Sequence, residues 1–445
     1  MTFESFRRTL RPPSATWSLA MIVGSLFAAM PARAQEWRAS LSSDGTLEAL
    51  VREALGGNLG VQQRQAAVRA AEQRVRPAGV LPDPMLSAGK ADLTLPGFIF
   101  SPGNHSQVNA ELSQEIPWPG TLDARTGVAR AHHDMARADL DLRRRDVVSA
   151  MGAAYYRLRY TVTALATLRR QRALLEAAVQ LSTTRYASGV APQSDPLQAK
   201  LARDRLRSEE FALQAEYTAT LAAVNALRGR PAEESLAVAP LDPDSLRAQL
   251  RALPPNDSLV ASALAQHPRL AAGRAAVEQA ARSIQVERLG ARPDVSLSVR
   301  YGYRGTVDSY RFPDVVSLFV GLRLPVWAGR KQNLMADAAR FDSSAASAGL
   351  RDAELGLRRD VTETAARAES AQRRLELLVD GILPVARGTV ESALRSYQVG
   401  RAEFLTLLAV EDAQYLAELE AAAVAADHQT QLVMLRELTA RESQP

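Results

Sequence analysis

Residues 107–116 alternate between apolar and polar side chains along almost their whole length. Four apolar residues share one face, which only Gln114 interrupts, and five polar residues share the other. A period of two residues is typical of a β-strand with one apolar and one polar face. The pattern therefore predicts a two-faced strand. A corner follows it, made of Pro117, Trp118, Pro119 and Gly120.

Residues 295–303 and 316–324 show the same alternation, and a further strand is predicted over residues 85–95. A tilted strand needs about ten residues to cross a bilayer. Aromatic residues stand at or near the strand ends, as in the girdles of membrane barrels: Phe98, Phe100, Trp118, Tyr301, Tyr303, Tyr310, Phe312 and Trp327. The pattern predicts two hairpins that meet lipid. A soluble β-sandwich is the alternative, and four strands are few for that fold.

Each hairpin is followed by a long helical segment. Residues 121–186 contain no proline and only two glycines, and a helix of that length would extend on the order of 100 Å. Apolar residues recur in both long segments near every 3.5 positions, which is typical of coiled coils. Pro384 interrupts the second segment and is expected to kink it. Both helices are expected to end at a left-handed glycine, Gly189 and Gly400.

Shorter helices complete the pattern. Return helices are predicted over residues 194–228, capped by Ser194 or Asp195, and over residues 403–437. Helical segments also precede the two hairpins, over residues 47–76 and 258–289. The second of these is expected to be capped by Asp257 or Ser258.

Repeated sequence signals indicate an internal duplication of the chain. Pro82-Asp83 recurs 211 residues later as Pro293-Asp294, and the Tyr-x-x-Gly signal that ends at Gly189 recurs at the same spacing to end at Gly400. The corner after the first hairpin has an echo after the second: Pro325, Val326, Trp327, Ala328 and Gly329. Matches in one order at nearly one offset indicate two copies of the same unit.

The N-terminus and the composition narrow the class of protein to which the chain can belong. Three arginines, a short apolar run and an Ala-Arg-Ala site predict a secretory signal peptide over residues 1–34, because the run is shorter than the roughly 20 residues of a membrane anchor. There is no cysteine, which excludes disulfides. A net charge of +5 with interleaved acids, together with export, argues against nucleic acid as a partner. No catalytic motif is present, so no enzyme activity and no cofactor are expected.

These signals divide the chain into seven predicted parts. They are a signal peptide (1–34), N-terminal periplasmic helices (35–81), a first β-hairpin (82–119), a first long helical hairpin (120–230), a connector with further helices (231–292), a second β-hairpin (293–327), and a second long helical hairpin with a C-terminal part (328–445).

Four strands cannot close a barrel, and lipid does not tolerate an open sheet edge. Eight strands are about the minimum for closure. The chain is therefore expected to assemble with copies of itself, as a dimer with eight strands or a trimer with twelve. The predicted fold is mainly α with a β membrane part, in which the barrel continues into a long helical coiled-coil barrel.

The duplicated hairpins and the two Tyr-x-x-Gly signals resemble the outer-membrane efflux proteins, the TolC-like channels of Gram-negative tripartite pumps. The resemblance implies a homotrimer with a 12-stranded barrel in outer-membrane lipid and a helical tunnel in the periplasm. It also implies a periplasmic adaptor (membrane fusion protein) and an inner-membrane pump of the RND type as partners. Residues 81–86 and 114–117 look like the branch that exports heavy metals (cobalt-zinc-cadmium or copper-silver), which implies metal cations as cargo.

The resemblance also implies a functional role for the helix tips. Family channels close at their periplasmic end through contacts between tips, and the adaptor docks there. Asp195 and Tyr397 match positions that link the tips; the alternative is that Asp195 only caps a helix and Tyr397 only packs. The proposed tip gate and adaptor contact comprise Tyr186, Gly189, Asp195, Tyr397, Gly400, Arg401 and Glu403.

The sequence departs from the family at one further point, and alternative functions remain open. Family members often carry acidic residues where this chain has Thr406 and Ala409, so the resemblance does not extend to a pore-narrowing ring at those positions. Glu403 and Glu411 are the alternative candidates for such a ring. Adjacent His132 and His133 point about 100° apart on a helix and are expected to be solvated. Drug efflux or type I protein secretion are alternative functions within the class. A soluble periplasmic scaffold or adaptor is the alternative from another class.

Overall fold

The computed structural model describes residues 44–91, 107–304, 306–307 and 310–440. The predicted signal peptide and the loop that holds Phe98, Phe100 and His105 lie outside these ranges. The helices are α1 (Gly45–Gly57), α2 (Leu59–Ala78), α3 (Thr121–Ala187), α4 (Ser194–Arg228), α5 (Pro243–Gln249), α6 (Asn256–Gln266), α7 (Pro268–Leu289), α8 (Gln332–Leu377), α9 (Leu383–Gln398) and α10 (Phe404–Thr439). The strands are β1 (Met85–Ala91), β2 (Gln107–Ile116), β3 (Asp294–Arg304), β4 (Thr306–Val307), β5 (Tyr310–Arg311) and β6 (Val315–Arg323).

The four long strands form one antiparallel sheet in the order β1-β2-β3-β6. The predicted strand over residues 107–116 is confirmed with those bounds as β2. Strands β3 and β6 are confirmed with shifts of one residue at each end. Strand β1 is confirmed over Met85–Ala91, and the predicted residues 92–95 lie outside the described ranges. The two hairpins are joined because β2 pairs with β3, so that Glu111 lies opposite Arg300 and Leu112 opposite Val299. Strands β1 and β6 are the free edges of the sheet within the chain.

The apolar face of the sheet is exposed in the single chain. One row runs straight across all four strands, and its members are exposed by 73%, 51%, 47% and 74%: Leu86, Leu112, Val299 and Leu318. Strand β2 alternates between exposed apolar residues and half-buried polar residues over its first seven positions. The polar face is therefore the more enclosed side of the sheet, which is the reverse of a soluble sheet that covers a core.

The helices pack alongside one another around α3, which contacts α2, α4, α7 and α10. Its close approach to α10 depends on Gly152, because a Cβ at that position would lie 2.6 Å from a methyl carbon of Val433. The main apolar cluster lies where α1, α3, α6 and α10 meet, and Leu47, Met151 and Leu435 are among its members. Within the residues that the structure describes, no helix is long and apolar enough to cross a membrane.

The predicted interruption near Pro384 is confirmed. A π-helical turn over Leu378–Ile382 separates α8 from α9, and Pro384 is the second residue of α9. Proline has no N–H and its ring crowds the carbonyl four residues earlier, here that of Asp380. A π-helical turn, with its wider hydrogen-bond spacing, accommodates this defect without ending the helix. The first long helix, α3, runs unbroken for 67 residues.

Two predicted caps are wrong. Helix α4 begins at Ser194 itself, with Gln193 as the capping residue and no side-chain cap. Helix α6 begins at Asn256, because the carbonyl of Pro255 already accepts the N–H groups of Ser258 and Leu259. The helical segments predicted over 47–76 and 258–289 are confirmed, but each is divided. Asn58 separates α1 from α2 and caps α2 through its side chain.

Candidate functional site

The polar face of the sheet carries paired charges. The guanidinium of Arg300 donates two hydrogen bonds to the same oxygen of Glu111, at 2.9 and 2.7 Å, directly across the β2–β3 pairing. The guanidinium of Arg323 contacts both oxygens of Glu115, at 2.6 and 2.8 Å, and lies 3.8 Å from Asp294. The Glu111–Arg300 pair follows from the strand register, because oppositely charged residues on neighbouring strands stabilise a sheet when they face one another. The Arg323 side chain instead contacts Glu115 across the intervening strand β3.

An aromatic ring holds one of these arginines in place. The guanidinium carbon of Arg300 lies 4.8 Å from the ring centre of Phe319, which is on the same face of β6. Cation–π contact of this kind orients a guanidinium while its edge remains free to bind a carboxylate. Phe319 thus has a structural reason to interrupt an otherwise polar face.

The corner of the first repeat ties both hairpins together at the helical end of the sheet. The backbone N–H of Trp118 donates to the Asp294 carboxylate at 2.9 Å, and Asp294 begins β3. Pro117 is buried and Gly120 has a φ of 87°, a left-handed conformation in which glycine is favoured. Gly120 then caps α3 with no side-chain hydrogen bond.

The corner of the second repeat lies at the same end of the sheet but is built differently. Backbone hydrogen bonds from Ala328 to Pro325 and from Arg330 and Lys331 to Trp327 form a series of turns. Gly329 is not among the left-handed glycines of the described chain, so the match with Gly120 is one of sequence position only. The Trp118 and Trp327 side chains are 36% and 68% exposed at this end, whereas exposed Tyr301 and Tyr303 stand towards the other end of β3.

The two helix tips share one backbone conformation. Gly189 and Gly400 have φ values of 73° and 74°, so the left-handed ends predicted from the sequence are confirmed. The tyrosines three residues earlier differ. Tyr186 is 45% exposed and Tyr397 is 2% exposed.

Tyr397 is buried at the point where both tips of the chain meet. Arg185 donates to the Tyr397 carbonyl at 2.8 Å, and its guanidinium carbon lies 4.7 Å from the centre of the Tyr397 ring. The ring also contacts Phe404, with centroids 5.3 Å apart. Asp195 is also buried, and lies close to the Tyr397 hydroxyl. The structure therefore brings together Asp195 and Tyr397, which the sequence analysis paired.

Burial raises the pKa of Tyr397, and the nearby negative charge of Asp195 raises it further. Among the described residues no partner meets hydrogen-bond geometry with the Tyr397 hydroxyl. The tip cluster is therefore held by packing and by Arg185 more than by a tyrosine–carboxylate bond.

The remaining tip residues lie on the surface or away from the cluster. Gly189, Gly400, Arg401 and Glu403 are exposed, and Glu403 precedes α10 without a side-chain cap. Thr406 and Ala409 are exposed as well. Glu411 is buried, and burial raises the pKa of its carboxyl group. Glu411 is therefore unsuited to form an exposed acidic ring.

The described histidines have separate surroundings. The predicted solvation is confirmed for His132, which is exposed on α3, whereas His133 is half-buried and contacts neighbouring Asp134 at 3.2 Å. His267 accepts the N–H of Arg269 and so caps α7, a role that the sequence analysis missed. His428 is buried in α10. In the part of the chain that the structure describes, no three side chains are grouped to hold a metal ion.

Sequence reasoning also missed the partners of the site residues. Arg185 and Phe404 lie next to the named tip motifs, and nothing in their local pattern indicates that they enclose Tyr397. The ion pairs of the sheet were missed because they require the β2–β3 pairing between residues that lie 189 positions apart. Cross-strand charge complementarity would have been visible once that register was known.

Comparisons with known proteins agree with this architecture. The sequence profile of the family "Outer membrane efflux protein" matches residues 50–230 and again 259–441. No curated protein matches the sequence. Among solved structures, the outer-membrane channel OprN is 21% identical, with a TM-score of 0.79 over 92% of this chain and 93% of that one. The outer-membrane protein VceC from Vibrio cholerae is 18% identical, with a TM-score of 0.74 over 91% and 98% of the two chains. CusC, which forms a transmembrane channel, is 16% identical, with a TM-score of 0.76 over 89% and 92%. At these identities the solved structures show a shared fold.

Proposed function

Because this chain belongs to the outer membrane efflux protein family, we propose that three copies of it form a passive outer-membrane channel of a tripartite efflux system. The family comprises channel proteins and not enzymes. The proposed partners are a periplasmic adaptor and an inner-membrane pump of the RND type, which supplies the energy of transport. Most of the chain would lie in the periplasm.

The observation that carries this proposal is the exposed apolar row across the four strands, backed by a half-buried polar face. In water such a row of Leu86, Leu112, Val299 and Leu318 gains nothing, whereas in lipid it is the stable arrangement. The free edges of β1 and β6 would leave backbone groups unpaired in lipid unless another copy covers them. Three copies of the four-stranded sheet would close a 12-stranded barrel.

The helices would continue this barrel as a tunnel. Helix α3 begins five residues after β2 ends, and its 67 residues would extend on the order of 100 Å. The corners with Trp118 and Trp327 would then mark the membrane interface at which barrel becomes tunnel. Exposed indole rings are favoured at such interfaces.

The far ends of the helices are the proposed gate and adaptor contact. Tyr397 with Asp195 would hold the tips together, and the exposed Tyr186, Gly189, Gly400, Arg401 and Glu403 would meet the adaptor. Asp195→Ala, or Tyr397→Ala, which removes the ring that packs against Arg185 and Phe404, is expected to loosen closure and raise the conductance of the purified protein in planar bilayers. If both variants open no more than the unmodified channel does, the gate lies elsewhere.

Membrane fractionation tests the proposal as a whole. The protein is expected in the outer-membrane fraction, and the detergent-purified protein is expected to form conducting pores in planar bilayers. Recovery in the soluble periplasm without pore activity would instead favour a scaffold or adaptor.

We propose heavy-metal cations as the cargo. Support comes from the two segments that resemble the metal-exporting branch, residues 81–86 and 114–117. They contact one another, because the Gln114 amide donates to the Pro82 carbonyl at 2.7 Å. A deletion strain is expected to become sensitive to Zn, Co, Cd, Cu or Ag salts. Sensitivity confined to a drug panel would instead identify a drug-efflux channel, and loss of a secreted protein a type I secretion channel.

A further inference from the structure

The polar face of the four-stranded sheet β1-β2-β3-β6 carries equal numbers of opposite charges. Its carboxylates are Glu111, Glu115 and Asp294, and its guanidinium groups are Arg300, Arg304 and Arg323. On that face, strand β1 places only uncharged residues opposite β2. The face is therefore electrically balanced over the length of the sheet that the structure describes.

Each carboxylate of this face has a guanidinium group as its counter-ion. Glu111 binds Arg300 of the neighbouring strand at 2.7 Å. Arg323 binds Glu115 at 2.6 Å across the intervening strand β3 and lies 3.8 Å from Asp294. Arg304 is opposite Gln107 and its Nε lies 3.5 Å from the Gln107 side-chain oxygen. Pairs at these distances leave little net field for an ion that passes several ångströms away.

We propose that the barrel segment of the duct is charge-balanced, and that the Glu111–Arg300 pair sets this balance so that cations and anions pass alike. This inference rests on the proposed channel function and adds a property of its lumen. Selection of the cargo would then occur at the pump or the helix tips. Phe319 acts as a positioning residue, because its ring holds the Arg300 guanidinium beside Glu111.

A closed trimer makes the balance testable. Glu111→Gln would leave three unpaired guanidinium groups around the lumen, and Arg300→Gln would leave three unpaired carboxylates. The double variant would remove both charges and restore neutrality. At about 10 mM salt the screening length is about 30 Å, so the electrostatic potential of three unpaired charges of either sign would extend across the lumen.

The absence of cysteine from the chain provides a clean probe. Ser113→Cys places one thiol on the inward face between Glu111 and Glu115. Its thiolate attacks methanethiosulfonate reagents, forming a mixed disulfide and releasing methanesulfinate. The ratio of the labelling rates for a cationic and an anionic reagent, divided by that ratio for a free thiol, reports the local potential.

The expected normalised ratio is close to one in the Ser113→Cys background. Glu111→Gln should lower it and Arg300→Gln should raise it, each on the order of fivefold at low salt. The Glu111→Gln/Arg300→Gln double variant should return it to about one, which also shows that the sheet still folds. A ratio far from one in the background, or single variants that leave it unchanged, would overturn the inference.

Leu112→Cys separates this inference from the proposed function. Its side chain lies on the exposed apolar face, which the channel proposal places in lipid. In the outer membrane it should resist both charged reagents while Ser113→Cys reacts. Rapid labelling of Leu112→Cys would refute the membrane placement and the inference with it, whereas selective labelling of Ser113→Cys without charge shifts would refute the inference alone.

Discussion

The two repeats of the chain end their long helices with the same signal but place its tyrosine in different surroundings. Gly189 and Gly400 have nearly equal φ values, yet Tyr186 is exposed while Tyr397 is enclosed by Arg185 and Phe404. A duplicated sequence signal has kept its backbone conformation while the packing around it has diverged. The second tip is the anchored one and the first supplies the arginine that anchors it.

The long helices of the two repeats also differ from one another. Helix α3 is a continuous rod, whereas its counterpart is divided by the π-helical turn over Leu378–Ile382. The connector helix α5 is fixed to that turn through Arg247, which contacts Asp380 at 2.8 Å. Ala173 occupies the position in α3 that Pro384 occupies after the turn, 211 residues later. The second repeat thus contains a built-in change of helical register that the first lacks.

The largest expected effect contrasts the two tip tyrosines. Tyr397→Ala should lower the free energy of unfolding by about 3–5 kcal/mol, because it empties a buried aromatic site. Tyr186→Ala, the matched control, should change it by less than about 0.5 kcal/mol. Denaturant unfolding of the detergent-purified protein, followed by circular dichroism, measures both. Equal effects would show that the tips are equivalent in the assembled protein.

An exchange of the proline tests the difference between the long helices. Ala173→Pro should destabilise α3 by about 3 kcal/mol, because the ring removes a helical hydrogen bond and crowds the preceding turn. Pro384→Ala should change stability by less than about 1 kcal/mol, since the π-helical turn already accommodates the proline. The same unfolding measurement applies, and a larger loss for Pro384→Ala than for Ala173→Pro would contradict this account.

A smaller effect, with a defined pH dependence, is expected from buried Glu411. Burial raises the pKa of its carboxyl above the ordinary value of 4.5, so the folded state holds the proton more tightly than the unfolded state does. The free energy of unfolding should therefore fall as pH rises from about 4.5 through the raised pKa. Glu411→Gln removes this loss, and its stability relative to the unmodified protein should grow with pH.

The control for that variant is the equivalent position of the first repeat. Lys200 is exposed in α4, and Lys200→Gln should change stability little at any pH in this range. Unfolding midpoints between pH 4 and pH 8 compare the two variants. A constant difference between Glu411→Gln and the unmodified protein would show that Glu411 is not buried in the assembly.

Local pattern predicted the elements of this fold well. The alternation of apolar and polar residues predicted β2 over Gln107–Ile116, and the long stretch without proline predicted α3. The pairing of β2 with β3 and the enclosure of Tyr397 by Arg185 were not predictable, because each joins residues far apart in sequence. The predicted helix cap at residues 257–258 was wrong because the backbone carbonyl of Pro255, and not a side chain, accepts the first N–H groups of the helix. The domain boundaries and the roles of the tip residues stay predictions.

The central claim is that three chains close one membrane channel through the free edges of their sheets. Native mass measurement of the protein extracted from the outer membrane in detergent tests it most directly. The account predicts a particle of three chains that still carries lipid or detergent around the strands. A single chain recovered from the soluble periplasmic fraction would contradict it.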